Sequence, residues 1–382
     1  MFSGEPCARE VDSGSNMCST SGVRWERQRL DAGQEDVLPG LALRGLVRSV
    51  RTPEFAGVTL HEVVCRSALN KVPAASRMPF RWTINPMRGC LHACAYCFAR
   101  PTHEYLDLGA GRDFETQIVV KTNVVEVLRA ELARPSWTHE HVALGTNTDP
   151  YQRVEGRYRF MPGIITALAG SGTPLSILTK GTLLRRDLPL LTEASAQVPV
   201  GVGISLAVHD EELQRVVEPG TPTPRARLEL VRAVREAGLP CGVLVAPVLP
   251  WLTDTVEHLD ALLADLAEAG ASGVTVIPLH LRGAVKPLFL GWLAEHHPGL
   301  VGRYQRLYGT GANVPRTYSR WLHERLDPLL VRHGFRDPAG HRTGRPAEDG
   351  YSPGALAAAG SVAHWGMPET AATPGVTQTT LF

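Results

Sequence analysis

Three cysteines fall within eight residues of the stretch NPMRGCLHACAYCFARPTHEY (85–105): Cys90, Cys94 and Cys97, spaced C-x3-C-x2-C. A structural zinc site closes with four ligands, usually from paired C-x2-C arms, so zinc here would have to recruit His92 or His103. Three thiolates suit another centre. They can hold three irons of a [4Fe–4S] cube and leave the fourth iron with an open coordination position. An open position serves a ligand that reacts, as the contrast between catalytic and structural zinc sites illustrates. S-adenosylmethionine (SAM) can fill it through its amino and carboxylate groups. Electron transfer into the sulfonium then breaks a C–S bond and releases a 5′-deoxyadenosyl radical. Tyr96, directly before the third cysteine, is suited to pack against adenine, with an ordinary core aromatic as the alternative reading.

The rest of the composition sets the compartment. The other four cysteines (Cys7, Cys18, Cys65 and Cys241) are scattered, and seven is an odd total. That fits a reducing compartment with one metal or redox cluster better than a disulfide framework. Lys+Arg 39 against Asp+Glu 38 gives +1 over 382 residues, so bulk charge makes no case for a nucleic-acid or membrane partner. A local basic groove stays open. The N-terminus lacks the basic-then-apolar layout of a signal peptide, and no stretch approaches the roughly 20 apolar residues of a membrane span. A cytoplasmic protein with no membrane partner is expected.

The elements that must position the cysteines follow a repeating rhythm. Strand candidates are RWTIN (81–85), QIVVK (117–121), HVALGT (141–146), LSILTK (175–180), VGVGISL (200–206), CGVLVAPVL (241–249) and GVTVIPL (273–279). Their near-continuous Val, Ile and Leu marks strands buried on both faces. Between them lie helical patterns such as VVEVLRAELARP, PRARLELVRAVREAG and TVEHLDALLADLAEAG, several ending on a glycine suited to a left-handed cap. This predicts an α/β fold, a partial (βα)6 TIM-type barrel of parallel strands, with a doubly wound sheet as the alternative. The polar clusters GTNTDPYQ, TKGT, SLAVHD and APVLPWLTD follow strand ends, where a parallel barrel builds its site. Residues 1–40 and 336–382 are expected to be disordered arms of low apolar content. The barrel is expected over 41–335 with a C-terminal helical extension.

C-x3-C-x2-C with an aromatic before the last cysteine, on the first loop of a (βα)6 pattern, resembles the radical SAM superfamily. Within it the chain is similar to the spore photoproduct lyase-related branch, through NPMRGCLHACAYCFARPTHEY, DFETQIVVKTN, LGTNTDPYQ, LTKGTLLRRDLPLL, EPGTPTPRARLELVRAVREAGLP and VLVAPVLPWLTD, covering roughly residues 78–335. The resemblance implies a [4Fe–4S] cluster on Cys90, Cys94 and Cys97, SAM as cofactor, and a reducing partner such as flavodoxin or ferredoxin. It implies that Lys180 and Ser205 lie near the SAM methionine and ribose groups, where an ammonium faces a carboxylate and a hydroxyl faces the sugar. For Lys180 the plain alternative is a solvated strand end.

Asp149, with Thr146–Thr148, sits at the barrel mouth and is read as cofactor-binding, a turn being the alternative. Arg225 and Arg227 open a helix, where arginine opposes the dipole, and hint at anion binding. His103 and Glu104 are candidates to support the cluster, and His280 reads as structural. The resemblance breaks at two places. Thr146 stands where the lyases carry a hydrogen-donating cysteine, and Phe98 where they carry a relay tyrosine. The expectation is a radical SAM enzyme of unknown substrate, nucleic acid being one candidate. A DNA photoproduct repair lyase and a zinc-stabilised nucleic-acid-binding protein are the alternatives.

Overall fold

Runs of Val, Ile and Leu with short polar breaks fold into a curved sheet buried on both faces. The computed structural model describes residues 45–73, 78 and 80–336. The arm expected over 1–40 lies outside the described residues, as does the tail expected over 336–382 apart from Arg336. In chain order the strands are β1 Leu46–Val50, β2 Thr59–Val63, β3 Leu69–Lys71, β4 Trp82–Ile84, β5 Met87–Arg88, β6 Gln117–Lys121, β7 Val142–Leu144, β8 Leu175–Thr179, β9 Val200–Ser205, β10 Cys241–Val248 and β11 Gly273–Pro278.

The larger sheet runs β11-β10-β9-β8-β7-β4-β3. Its six strands from β4 to β11 pair in parallel, and β3 adds antiparallel to the outer edge of β4. Each parallel strand joins beside its predecessor without reversal of order. That decides between the two expected architectures, because a doubly wound sheet reverses direction at a switch point. The chain winds one way and curls into a partial barrel. Between the strands run the helices Phe160–Gly170, Leu188–Ser195, Pro224–Glu236 and Val256–Glu268. Thr223 and Thr255 cap the last two through their side-chain oxygens, each satisfying an otherwise unpaired N–H.

One strand departs from expectation. Gln117–Lys121 lies outside the barrel, in a second sheet ordered β1-β2-β6-β5. It pairs parallel to β2 and antiparallel to β5. Ile118 and Val120 face the main core while Val119 faces a smaller one with Val63, Cys65, Leu106 and Leu108. Burial on two sides gives it the same composition as a barrel strand. After β11 the chain adds helices Val285–His296, Val301–Tyr308 and Arg316–Arg332. The last packs through Leu322, Leu326 and Leu329 into the main core, which also takes Leu259, Leu262 and Leu266 of Val256–Glu268. Among the described residues, no helix is long and apolar enough to cross a membrane.

Candidate active site

The C-terminal ends of β4, β7, β8 and β9 bring together the cysteine loop, Asp149, Lys180 and Ser205. Cys90, Cys94 and Cys97 are free thiols, the first two buried and the third partly so. Burial raises all three thiol pKa values, and pushes Cys94 up to about 12 against the pull of Lys180.

The loop that carries them is fastened from several directions. Arg100 donates from Nε to the Cys94 carbonyl (3.0 Å) and from Nη2 to the Ala93 carbonyl (3.0 Å) and Glu115 (2.8 Å). Buried Gln152 accepts from the Leu91 N–H (2.9 Å) and donates to the Gly89 carbonyl (3.1 Å), which also takes the Thr148 hydroxyl (2.6 Å). On the other side the Ala95 N–H donates to the Val217 carbonyl (2.9 Å), and the Gly220 N–H to the His92 carbonyl (3.1 Å). A Cβ on Gly220 would lie 1.8 Å from the Leu91 carbonyl oxygen, so only glycine permits this approach. Gly89, at φ +82°, makes the left-handed turn into Cys90.

Asp149 joins the cysteine loop to β8. Its carboxylate faces His92 Nδ1 at 3.2 Å and accepts from the Thr179 hydroxyl (2.5 Å), the Lys180 N–H (2.7 Å) and the Tyr151 N–H (2.9 Å). Burial alone would raise its pKa, but His92 and these hydrogen bonds outweigh it and hold the carboxyl below its usual value. With four partners, Asp149 orients the loop and the strand end.

Lys180 donates from Nζ to Ser205 Oγ at 2.8 Å, and its ammonium lies 5.8 Å from the Tyr96 ring centroid. Burial opposes its charge, yet Cys94 and Glu218 raise its pKa. Lys180 is therefore an inward-facing cation and not a solvated strand end. Tyr96 is buried and donates its hydroxyl to Glu218. Glu218 pairs with Arg227 at 2.6 Å, and Arg227 Nη1 donates to the Ser205 carbonyl at 3.1 Å. Arg227 thus departs from the expected helix-start anion site and fills an interior ion pair. Arg225 is exposed and pairs with Glu229 at 3.3 Å.

The two histidines that a zinc site would need are engaged elsewhere. His92 faces Asp149, and His103 pairs through Nε2 with the Gln117 carbonyl at 2.9 Å. Among the described residues, no three His, Cys, Asp or Glu side chains gather around a single metal-ion position. Thiols that each hold a different iron of a cube need not converge on one point. Glu104 is exposed. His280 bridges Asn313 through its backbone, and its ring lies 6.0 Å from that of Phe98. Thr146 donates to Asn85 Oδ1 at 3.3 Å, and Phe98 is 55% exposed beside the loop. Arg100, Gln152, Glu218 and Gly220 were not singled out by sequence. Their only sequence signal is their place inside the conspicuous stretches CFARP, DPYQ and EPGT.

The sequence profile of the Radical SAM superfamily matches residues 84–274. The chain belongs to the radical SAM superfamily. An uncharacterized protein of Mycobacterium tuberculosis is 62% identical over 328 residues, covering 85% of this chain and 96% of that protein. An uncharacterized protein of Acidianus two-tailed virus is 30% identical over 53% of this chain and 68% of its own length. Among solved structures, spore photoproduct lyase complexed with dinucleoside spore photoproduct superposes with a TM-score of 0.53 at 16% identity, over 72% of this chain and 79% of that one. That likeness is one of fold. The radical SAM protein is accordingly an enzyme whose substrate is unknown, built on a partial TIM-type barrel.

Proposed function

We propose that Cys90, Cys94 and Cys97 hold a [4Fe–4S] cluster and that Lys180 and Ser205 receive SAM beside it. The observation that carries this reading is the Lys180–Ser205 pair (2.8 Å) lying in the field of the buried Cys94 thiol. The residues fit the group. Three free thiols occupy one preformed loop, and iron would displace their protons to solvent on binding, since ligation requires the thiolate. When bound, such a cluster supplies the electron that cleaves SAM into methionine and a 5′-deoxyadenosyl radical.

The chain's own residues orient and enclose. Lys180 offers an ammonium to the SAM carboxylate and Ser205 a hydroxyl to the ribose. Tyr96, fixed by Glu218, walls the same space with an aromatic ring. Asp149, read from sequence as cofactor-binding, holds the Lys180 backbone and His92 in register beside this space. The electron comes from a reductant of the flavodoxin or ferredoxin type, and cysteine usage supports the cytoplasm as compartment.

Photoproduct reversal is the weaker reading. Hydrogen return to a substrate radical needs a weak X–H bond, whereas Thr146 offers a strong O–H engaged with Asn85, and Phe98 offers none. Anaerobic reconstitution tests the proposal. About four irons and four sulfides per chain, with reductive release of 5′-deoxyadenosine from SAM, are expected. A colourless protein carrying one zinc would overturn it.

A further inference from the structure

Beyond the thiol site, a groove of about 700 Å³ opens between the loop after β10 and the two C-terminal helices. That is ample for a small planar group. Two of its tryptophans carry arginines on their faces: Arg303 over Trp251 at 5.2 Å, and Arg325 over Trp321 at 3.9 Å. Tyr318 adds a third ring, 5.3 Å from Trp321. Asp254, the one acidic lining residue, accepts from the Tyr318 hydroxyl (2.7 Å) and the Trp251 N–H (2.8 Å). Trp251 itself is held at φ +60°, a left-handed conformation that a bulky residue adopts only under constraint.

Local charge supplies the second observation. Residues 298–336 contain seven arginines (303, 306, 316, 320, 325, 332, 336) against Glu324 and Asp327, or +5 in a chain whose total is +1. Arg332 pairs with Asp260 and Arg336 with Asp327. The other five have no ion-pair partner among the described residues. An arginine surface interleaved with half-buried aromatic rings matches one ligand class: phosphates draw the cations off the rings, and unpaired bases stack in their place. Duplex bases are already stacked and cannot use the rings.

We propose that this groove binds single-stranded nucleic acid. Trp251 packs into the same hydrophobic cluster as Cys94 and Tyr96, and it follows the C-terminal end of β10, at the same end of the barrel as the thiols. A strand seated here therefore approaches the radical site.

The test is fluorescence anisotropy of labelled 20-nucleotide oligothymidylate and oligouridylate on the reconstituted protein without SAM, so that it reads binding whatever the cluster chemistry proves to be. Saturable binding is expected, weakening with salt and competed by unlabelled single strand but not by equal-length duplex or poly-glutamate. The two labelled strands tell DNA from RNA preference. Trp321→Ala should weaken binding about 5- to 150-fold, with Trp321→Phe keeping most of it. The pair Arg303→Ala and Arg325→Ala should lower the log–log salt slope by about 1.4. If Trp321→Ala loses its iron, the exposed Arg303→Glu decides, with weakened binding at wild-type iron content expected. No binding at about 50 mM salt, equal competition by duplex or poly-glutamate, or wild-type affinity in Trp321→Ala or Arg303→Glu overturns the proposal.

Discussion

The Glu218 carboxylate meets the Arg227 guanidinium at 2.6 Å with both side chains wholly out of solvent, and the same carboxylate accepts the Tyr96 hydroxyl. Removing one partner of such a pair strands a charge in the interior. Arg227→Met should therefore lower unfolding free energy by about 3–5 kcal/mol, and Glu218→Gln with Arg227→Met should recover a good part of it. Urea titration of the cluster-free protein checks both. Equal stability of wild type and Arg227→Met would mean that the pair is solvated in solution.

The three loop cysteines and the two buried ones elsewhere should behave oppositely. Changing Cys90, Cys94 and Cys97 together to Ala is expected to abolish iron loading and SAM cleavage. Cys65→Ala and Cys241→Ala, in other parts of the core, should keep full iron content. Near-normal iron in the triple variant contradicts the proposed cluster site.

Lys180→Ala should weaken SAM binding by roughly 10–150-fold, as expected for a lost charge-assisted contact of about 1.5–3 kcal/mol. Ser205→Ala removes a neutral hydroxyl and should cost about 0.5–1.5 kcal/mol. Equilibrium dialysis with cluster-loaded protein separates the two. Unchanged affinity in Lys180→Ala would leave the Lys180–Ser205 contact purely structural.

Lys121, on the second sheet, is 1% exposed, and among the described residues its ammonium has no hydrogen-bond partner. Burial, reinforced by Arg88, lowers its pKa to about 8. The folded state therefore holds this proton less tightly than the unfolded chain, where lysine titrates near 10.4. The resulting penalty is complete below pH 8, fades as pH rises, and is gone above about 10.4. Lys121→Met should stabilise the protein at pH 7 by up to ~3 kcal/mol, and the gain should shrink between pH 8 and 10. A pH-independent difference in denaturation midpoint refutes this account.

Wild-type protein should not convert spore photoproduct back to two unlinked thymines within a dinucleotide under conditions where it cleaves SAM. Thr146 and Phe98 leave no weak X–H bond where the lyases carry cysteine and tyrosine. Multiple turnovers of thymine recovery, followed by chromatography, would return the protein to DNA repair.

The cysteine loop and the six parallel strands could be read from sequence because each is a local signal: a spacing in one case, a β-branched run in the other. Gln117–Lys121 shows where that ends. Its composition reports burial on two faces, but whether those faces belong to the barrel is settled by β2 and β5, which occupy distant or very short segments. The same holds in the site. Tyr96 and Glu218 are 122 residues apart, so no window of sequence pairs them. Arg227 reads from sequence as a helix-start arginine suited to anion binding, because spacing does not reveal that it turns inward to Glu218 nine residues earlier. Asp149 could be placed at the barrel mouth by its position after a strand, but not assigned its four hydrogen-bonding partners.

The fastening of the cysteine loop by Arg100, Gln152, Thr148 and Gly220 has a consequence for life in air. A small zinc module folds around its metal and collapses when stripped. Here the loop is held by hydrogen bonds from Arg100, Gln152, Thr148 and Gly220 that use no cysteine sulfur. If the proposed cluster is lost to oxidation, the loop should stay folded and able to take up iron and sulfide again without passing through an unfolded chain. Damage to the inorganic part then becomes a maintenance event rather than a death sentence for the polypeptide.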